Sequence, residues 1–413
     1  MLVIQKGDGS ELSFEVKSFE FGGALSEPYV LRVAVLDVNS QIEPQAYLYL
    51  QASLQFVGSG GEPQSISGVI TRLDRQEDLV KRKRVYTIQI EPYLSLLFYQ
   101  NRFKVHANQS YLDIAKSMTE KLSLEFGLRD YAKFKVDMPW LITPLNTFDV
   151  EAEDNTLDYF NKILGFTRYY FSEGEGAESL VVIDRPGLLP SRDQTVTFDP
   201  SRKEDLKNHA AQFYHLGLSK QASSLSAEPV YFDPQNPQAS LAKLHNEDPL
   251  IVMTPIYAPI GNYDFIKAKL TEQLNHDAKT YQFKSYYSDL LVGERIQIDS
   301  PLAGGCIDGF VESLILKGYY QDEQWRFDSQ GVIRPYSEEG SWLGAYQPRK
   351  RLPALNPGAL LQDEAQVNDA GMYQIKFPKG FDSETETPTV SVREIQETVT
   401  SGGGASHSVS GKA

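Results

Sequence analysis

Alternating apolar and polar residues mark several short segments in the first hundred residues. The clearest are Tyr29–Val35, Ala46–Val57 and Val85–Ile90. In the last of them every second side chain is apolar, which gives one apolar and one polar face and predicts a strand. Glycine-rich breaks at Gly22-Gly23 and Gly58–Gly61 separate such segments. This spacing predicts a small antiparallel β-barrel.

The period of the pattern changes after residue 109. Ser110–Asp113 resembles a capping box, and the apolar residues that follow it recur at helical spacing, which predicts a helix over 111–122. A second helix is predicted after Asp154-Asn155, with Gly165 as its stop. The segment 167–184 has two strand-like runs around a glycine-containing turn and predicts a hairpin.

A second β-rich region follows a proline-rich and polar stretch. Helical spacing predicts a helix within Tyr263–Tyr281, and strand-like runs return at Glu294–Ile298, Gly309–Leu316 and Gln324–Phe327. These runs predict a second barrel with a helical insertion. Five apolar side chains of this region are expected to be buried in that barrel or at a subunit boundary: Leu290, Ile296, Ile298, Val311 and Leu314.

An internal similarity links the two β-rich regions. Ser67–Leu73 resembles Asp308–Leu314, and each segment is followed by a further strand-like run. Two short matches carry little weight alone, so duplication and chance both remain open at this point.

The last part of the chain has the composition of a connector and a small β unit. Prolines and basic residues are concentrated in Gln347–Gly358, which indicates an extended connector. Strands are predicted at Tyr373–Phe377 and Val390–Arg393, before a turn or loose tail at Ser401–Ser408.

Length and charge limit the functional classes. A chain of 413 residues is long enough for about two to four domains. The net charge of −15 would repel phosphate backbones and anionic lipid headgroups, so neither nucleic-acid binding nor stable membrane insertion is expected. The basic run Lys81–Arg84 is interpreted as a solvated approach to a strand, with a docking patch for an acidic partner as the alternative.

The termini and the single cysteine indicate the compartment. The first residues show no charged leader with an apolar core, and no apolar stretch is long enough to span a membrane. We therefore expect the protein to start in the cytoplasm, so that any export bypasses a signal peptide. Cys306 excludes an intrachain disulfide and is expected to be a buried or half-buried thiol.

No motif of catalysis, cofactor binding or metal binding stands out. The six histidines lack metal-site spacing: His106, His209, His215, His245, His276 and His407. Gly58–Gly61 lacks the lysine and following helix of a phosphate cradle, and is read as a hairpin loop. Glu151, Glu153 and Asp154 are close in sequence without forming an acid/base pair. The prediction is no enzyme, with no catalytic, cofactor-binding or metal residues and no cofactor.

Several segments in order along the chain resemble the VgrG family, the spike and hub proteins of type VI secretion. They are Ser67–Leu73 with Ile90–Leu97, Phe103 with the helix start at Ser110–Ile114, Glu151–Phe166, Asp289–Glu294 with Asp308–Val311, and Asn368–Pro378. Each motif is degenerate, while together they cover nearly the whole chain. Met372 stands where the family usually has arginine, and the sequence stops inside the region that resembles the family's OB-fold, without a β-helical needle.

The resemblance implies a mainly β fold with α+β insertions. It has two small β-barrels of the phage-tail-hub type, a helical and hairpin linker region, and a partial C-terminal OB-fold. The implied domains are a first hub barrel at 1–98, a linker at 99–190, a second barrel with a helical insertion at 191–345, and a connector with a partial OB-fold collar at 346–413.

The resemblance also implies a function. The chain would be a protomer of a homotrimeric hub that adapts the six-fold Hcp tube to a three-fold spike, and it would be exported with the tube to puncture target cells and carry effectors. Other implied partners are baseplate proteins and, through the missing needle, a PAAR tip and effectors. Two alternatives stay open: a hub of a contractile phage tail or extracellular injection system, and a cell-wall hydrolase or glycan-binding protein.

Overall fold

The structure is a computed structural model. It describes residues 1–37, 44–78, 83–100, 102–122, 124–129, 139–142, 148–151, 155–165, 167–173, 178–198, 212–220, 226–231, 251–256, 279–300, 305–321, 324–336, 365–367 and 373–375. By their contacts the residues fall into two compact units, Met1–Pro348 and Arg349–Ala413.

Strands make up most of the described part of the first unit. The first ten are β1 (Leu2–Gln5), β2 (Glu11–Phe14), β3 (Val16–Ala24), β4 (Glu27–Asp37), β5 (Gln51–Val57), β6 (Pro63–Asp78), β7 (Lys83–Glu91), β8 (Lys104–Ala107), β9 (Leu124–Leu128) and β10 (Phe148–Glu151). The next ten are β11 (Arg168–Glu173), β12 (Glu178–Ile183), β13 (Ser191–Phe198), β14 (Gln212–Lys220), β15 (Ser226–Tyr231), β16 (Ile251–Ile256), β17 (Lys279–Ser285), β18 (Arg295–Ser300), β19 (Gly305–Gln321) and β20 (Gln324–Pro335).

The helices are short. The α-helices are α1 (Pro44–Tyr47), α2 (Tyr111–Thr119), α3 (Pro139–Ile142) and α4 (Thr156–Ile163), and 3-10 helices cover Tyr93–Tyr99 and Pro186–Leu188. None of the helices in the described residues is long and apolar enough to cross a membrane.

Thirteen strands join into one sheet. Its order is β18-β13-β14-β17-β20-β19-β3-β4-β7-β6-β5-β1-β2. The strands β13, β14 and β17 to β20 pair in a ring, because β18 contacts both β13 and β19. The strands β1 to β7 form an open arc, which we call the open half.

The predicted mainly β class with α+β insertions is confirmed, and the sheet differs from the expected two separate closed barrels. The reason is the antiparallel pairing of β19 with β3, which matches Ser313–Tyr319 to Ser18–Ala24. The long strand β19 pairs with β18 over Gly305–Phe310 and with β3 over Ser313–Tyr319, so it belongs to the ring and also covers one edge of the open half. The sheet as a whole is therefore not a closed barrel.

Each half buries the apolar face of its alternating strands. The core of the open half includes Leu31, Val33, Ile88 and Ile90, all fully buried. The core of the ring contains all five side chains that the sequence predicted to be buried, Leu290, Ile296, Ile298, Val311 and Leu314, and that prediction is confirmed.

The part of the first unit between β7 and β13, which we call the linker, has its own core. In it β11 and β12 form the predicted hairpin, and β9 adds parallel to β12. Both predicted helices are confirmed: the Ser110 hydroxyl accepts the Asp113 backbone N–H at 3.1 Å, and the Asn155 side chain accepts the Asp158 N–H at 2.9 Å. These caps satisfy N–H groups that a helix start would otherwise leave without partners.

Three local predictions are wrong. Residues 46–50 are not strand, because α1 and a left-handed Tyr49 (φ 67°) precede β5. Gly22-Gly23 lies inside β3 instead of breaking it, and a Cβ on Gly23 would approach Phe21 and Tyr29 at 3.1 and 3.2 Å, so close packing explains that glycine. Cys306 is exposed, since it points to the outer face of β19.

Some predictions concern residues outside the described ones. They are the helix within Tyr263–Tyr281 as far as residue 278, the connector at Gln347–Gly358, the strand at Val390–Arg393 and the tail at Ser401–Ser408. The end of the predicted helical segment, 279–281, is strand and begins β17. In the second unit the described strands are β21 (Ala365–Val367) and β22 (Tyr373–Ile375), which pair antiparallel, and the rest of the predicted OB-fold likewise lies outside.

Replacement of a buried leucine tests the assignment of the ring core. Leu314 is 2% exposed, so Leu314→Ala should lower the free energy of unfolding by about 2–5 kcal/mol through lost burial and a residual cavity. Leu218 is 54% exposed on β14, and Leu218→Ala should change it by less than about 0.5 kcal/mol. Denaturant titration of both variants measures the difference, and equal stabilities would contradict the core assignment.

Candidate functional site

The two β-rich halves contain the same hairpin. The segments that resemble each other in sequence lie in the long strands β6 and β19, each paired antiparallel with the next strand along the chain. Each pairing has a register shift at the corresponding place, between Ile70 and Arg72 in β6 and between Val311 and Ser313 in β19. A bulge is a specific local feature, so its repetition at matched positions favours duplication over chance.

A matched glycine in each hairpin supports the same conclusion. A Cβ on Gly68 would lie 2.4 Å from the carbonyl oxygen of Glu91, and one on Gly309 would lie 2.7 Å from that of Arg334. In both hairpins the backbone of the partner strand therefore approaches too closely for any side chain. The sequence similarity already contained this signal, because both segments have glycine at the second position.

The loop between β5 and β6 of the open half forms hydrogen bonds with the segment that connects β17 and β18. The Ser59 N–H donates to the Ser288 hydroxyl at 2.7 Å, and the Ser288 N–H donates to the Ser59 hydroxyl at 2.9 Å. The Gly60 N–H donates to Asp289 Oδ2 at 2.9 Å, while the Ser288 hydroxyl donates to Asp289 Oδ1 at 2.7 Å. We call these residues, with Gly58, the clasp.

The clasp explains the glycines of its loop. A Cβ on Gly58 would lie 2.0 Å from Asp289 Oδ1, and one on Gly60 would lie 2.5 Å from Oδ2. Gly61 has a φ of +87°, which disfavours side chains. The predicted hairpin loop is confirmed by its position between β5 and β6. The sequence did not reveal that the loop holds a carboxylate 229 residues away.

A cavity of about 1150 Å³ lies where three parts of the first unit meet. Its lining includes residues of β1 to β6 of the open half, of β9, β11 and β12 of the linker, and of β19 in the ring, with Ser288 and Leu290–Val292 beside the clasp. We call it the central cavity.

Glu178 is a titratable group in the wall of the central cavity. Its carboxylate accepts the Tyr29 hydroxyl at 3.2 Å and the Tyr93 backbone N–H at 3.0 Å. Burial raises the pKa of Glu178 to about 7, although these two hydrogen bonds lower it. The carboxyl group is therefore partly protonated near neutral pH.

A buried polar cluster in the linker has the residue types of a catalytic group without its geometry. The Thr156 hydroxyl donates to Glu151 Oε1 at 2.8 Å, and His106 Nε2 lies 3.4 Å from Glu151 Oε2. The His106 ring stacks on Tyr159 with 5.6 Å between centroids. A nucleophilic triad places histidine beside the hydroxyl, whereas here the carboxylate lies between them and all three are buried. The cluster therefore joins β8, β10 and α4.

The other chemical groups singled out in the sequence do not converge. His215 is exposed, whereas His209, His245, His276 and His407 lie outside the described residues, as do Glu153 and Asp154. Within the part of the chain that the structure describes, no group of three or more histidine, cysteine or acidic side chains could hold a metal ion.

An exposed segment after the 3-10 helix combines apolar and basic side chains. Phe103 is 79% exposed and Val105 is 52% exposed, and they alternate with exposed Arg102 and Lys104. Phe98 and Tyr99 beside them are also exposed. We call 98–105 the aromatic–basic segment. Clustered exposed apolar residues of this kind are typical of protein interfaces.

Comparisons with known proteins agree with this architecture. Residues 23–309 match the family model of the phage tail baseplate hub (GPD). The Escherichia coli c3393 protein matches with a TM-score of 0.57 at 14% identity, over 91% of this chain and 89% of that one. That protein is a component of the type VI secretion system and is structurally similar to the T4 bacteriophage tail proteins gp27 and gp5.

Two tail proteins share the fold as well. A tail protein of Neisseria meningitidis MC58 matches with a TM-score of 0.54 at 11% identity, and the 43 kDa tail protein of prophage MuSo2 from Shewanella oneidensis matches with 0.52 at 9% identity. Each match covers 84% of this chain and 99% of the other. Curated protein sequences give no match.

A double-mutant cycle tests the clasp. Gly58→Ala should lower the free energy of unfolding by about 1–3 kcal/mol, because the new Cβ displaces the Asp289 carboxylate from its donors. The loss should shrink in an Asp289→Ala background, with a coupling of about 0.5–3 kcal/mol in chemical denaturation. Gly7→Ala is the control, since a Cβ there meets nothing within 4 Å. Additive effects would show that the clasp does not form.

The pH dependence of stability tests the position of Glu178. Because its pKa rises from 4.5 to about 7 on folding, the folded state binds more protons, and its stability should fall as the pH rises between these values. The fall should be up to about 3 kcal/mol. Glu178→Gln should remove it, so that the variant gains stability over the parent towards alkaline pH in denaturant titrations. Parallel pH profiles of the two proteins would contradict the buried position.

Proposed function

The chain belongs to the phage tail baseplate hub (GPD) family, and from this premise we propose that it is a structural hub protomer of a contractile injection machine. The observation that carries the proposal is the repeated hairpin, with its matched bulge and glycine, in two halves of one continuous sheet. The symmetry of an assembly explains a repeated unit within one chain better than a catalytic reaction does.

The proposed assembly is a homotrimer. Three chains with two similar units each would present six units around one axis, which allows a three-fold spike to sit on a six-fold tube ring such as Hcp. Such a match requires a fixed angle between the two units of a chain. The β19–β3 ladder and the clasp supply rigid connections for this purpose.

We propose that the chain forms part of the spike of a type VI secretion system. The motifs along the chain and the fold shared with the E. coli protein support this first candidate. A contractile phage tail or extracellular injection particle is the second candidate. It is favoured by the family model, which describes a phage tail hub, and by the tail proteins that this chain spans almost completely.

The domain division follows from the same proposal. We assign 1–98 and 191–345 to the two hub units, 99–190 to the linker, and 346–413 to a connector and collar. Baseplate proteins would dock on the hub, and the aromatic–basic segment offers them an apolar centre with positive charges. A PAAR tip and effectors would be further partners of the assembled spike.

The proposed role is structural and not catalytic. His106, Glu151 and Thr156 are buried and therefore inaccessible to a substrate, which supports this view against a cell-wall hydrolase. The protein would assemble in the cytoplasm and leave with the tube. Its acidic balance argues against nucleic acid and anionic membrane as partners.

Particle symmetry and its dependence on dilution test the proposal. Hub contacts alone should give a concentration-dependent trimer, so that light scattering shows dissociation on dilution and recovery when tube protein is added. Electron images down the axis of the assembled particle should show six similar densities. As a surface control, Phe103→Ser should leave the trimer intact while weakening the binding of baseplate protein.

Two results would count against the assembly. A chain that stays monomeric at all concentrations and with tube protein present would exclude the hub role. A trimer that persists at nanomolar protein without partners would keep the hub role and show that the hub contacts alone suffice for tight assembly.

A further inference from the structure

Four strands of the open half present a regular polar face to the central cavity. Ser13 pairs with Val3, Val3 with Ser53, and Ser53 with Ser67, so one row crosses β2, β1, β5 and β6. All four residues line the cavity. The Ser53 hydroxyl lies 2.8 Å from that of Ser65 and 3.2 Å from that of Ser67. The hydroxyl groups of Ser53, Ser65 and Ser67 are therefore linked to one another. We call the line from Ser13 to Ser67, which Val3 interrupts, the hydroxyl row.

Amide side chains flank the hydroxyl row. Gln51 and Gln55 lie on either side of Ser53 on the same face of β5, and Gln5 is opposite Glu11 in the β1–β2 pair. Each also lines the cavity. Hydroxyl and amide groups both donate and accept hydrogen bonds, and neighbouring strands hold them about 5 Å apart. Such a surface suits a ligand with many closely spaced hydroxyl groups.

The part of the lining next to the hydroxyl row is aromatic and acidic, and the Tyr29 hydroxyl there donates to the Ser67 carbonyl. Phe171 meets Tyr29 edge to face with 5.3 Å between ring centroids, and Phe21 lies 5.5 Å from Tyr29. Glu178 can donate or accept near neutral pH, since its carboxyl group is partly protonated there. Aromatic faces beside polar groups suit rings that have an apolar face and a polar rim.

The charge of the lining excludes polyanions. Acidic side chains come from Glu11, Glu27, Glu125 and Glu178. Arg129 is the one Lys or Arg side chain of the lining in the described residues, and its guanidinium already donates to the Tyr170 hydroxyl at 3.0 Å and to the Leu188 carbonyl at 2.8 Å. A phosphate or sulfate polymer would meet net repulsion here.

We propose that the central cavity binds an uncharged oligosaccharide along the hydroxyl and amide rows. Of the four strands in this face, β1, β5 and β6 are paired on both edges and present no free backbone groups for the strand addition that extended peptides use, whereas β2 ends the sheet. The volume of about 1150 Å³ exceeds the usual range of about 300–1000 Å³ for small-ligand sites, so it fits several sugar rings better than one.

Calorimetric titration of the full chain tests the proposal, with neutral oligomers of N-acetylglucosamine and of glucose as probes. We expect binding by at least one series, with an affinity that rises with chain length. Gln51→Ala with Gln55→Ala should weaken it about ten-fold through lost hydrogen bonds. The matched control is Gln282→Ala with Gln297→Ala, two glutamines exposed on strands outside the cavity, which should bind like the parent.

Thermal unfolding of both double variants shows that each is folded before affinities are compared. Absence of binding by both neutral series would overturn the proposal. So would equal weakening in the control variant, or a preference for heparin or for an uncharged peptide over the neutral sugars. None of these results depends on trimer formation, so the hub role and the sugar site stand or fall separately.

Discussion

The antiparallel ladder between β19 and β3 is the interaction on which the rest of the structure depends. It joins strands almost three hundred residues apart, and through it the open half and the ring become one sheet. Loop-closure entropy opposes such a distant pairing, so it must be supported by burial on both sides. Leu316 on β19 and Phe19 on β3 provide that burial within the core of the open half.

The clasp and the linker restrict the relative orientation of the two halves, which the ladder alone would not fix. A single ladder would allow the two halves to twist against each other, whereas the hydrogen bonds of Ser59 and Gly60 to Ser288 and Asp289 hold them at a second point. The linker adds a third connection, since Leu25, Tyr170 and Phe310 share one small core across the three parts. Three separated contacts therefore define the orientation of the two halves within the first unit.

Polar groups in the interior stabilise the fold around His106 and Glu151, whereas those around Ser53 line a cavity. The His106–Glu151 pair is closed to solvent, and burying it is tolerable because the Thr156 hydroxyl and Gln109 supply further hydrogen bonds. The hydroxyl groups of Ser53, Ser65 and Ser67 instead line a large cavity. The first unit thus contains a polar cavity as well as a closed polar cluster.

The sequence by itself determined the elements whose causes are local. Strand alternation located β4, β7, β18, β19 and β20, capping residues located α2 and α4, and the apolar half of the ring strands predicted the buried leucines and isoleucines. The repeated segment also indicated the duplicated hairpin, because its glycine and bulge depend on neighbouring residues of one hairpin. Family motifs added the fold class, which periodicity alone does not give.

Only the tertiary structure decided the features that depend on distant residues. Gly22-Gly23 is a turn signal in sequence, and becomes strand because β19 pairs beside it and Phe21 and Tyr29 leave no room for a side chain. Cys306 alternates outward because β19 pairs in one register and not the next. Contacts between residues far apart along the chain create the carboxylate acceptor of the Gly58–Gly61 loop, the burial of Glu178 and the central cavity. Local sequence patterns contain no information on such contacts.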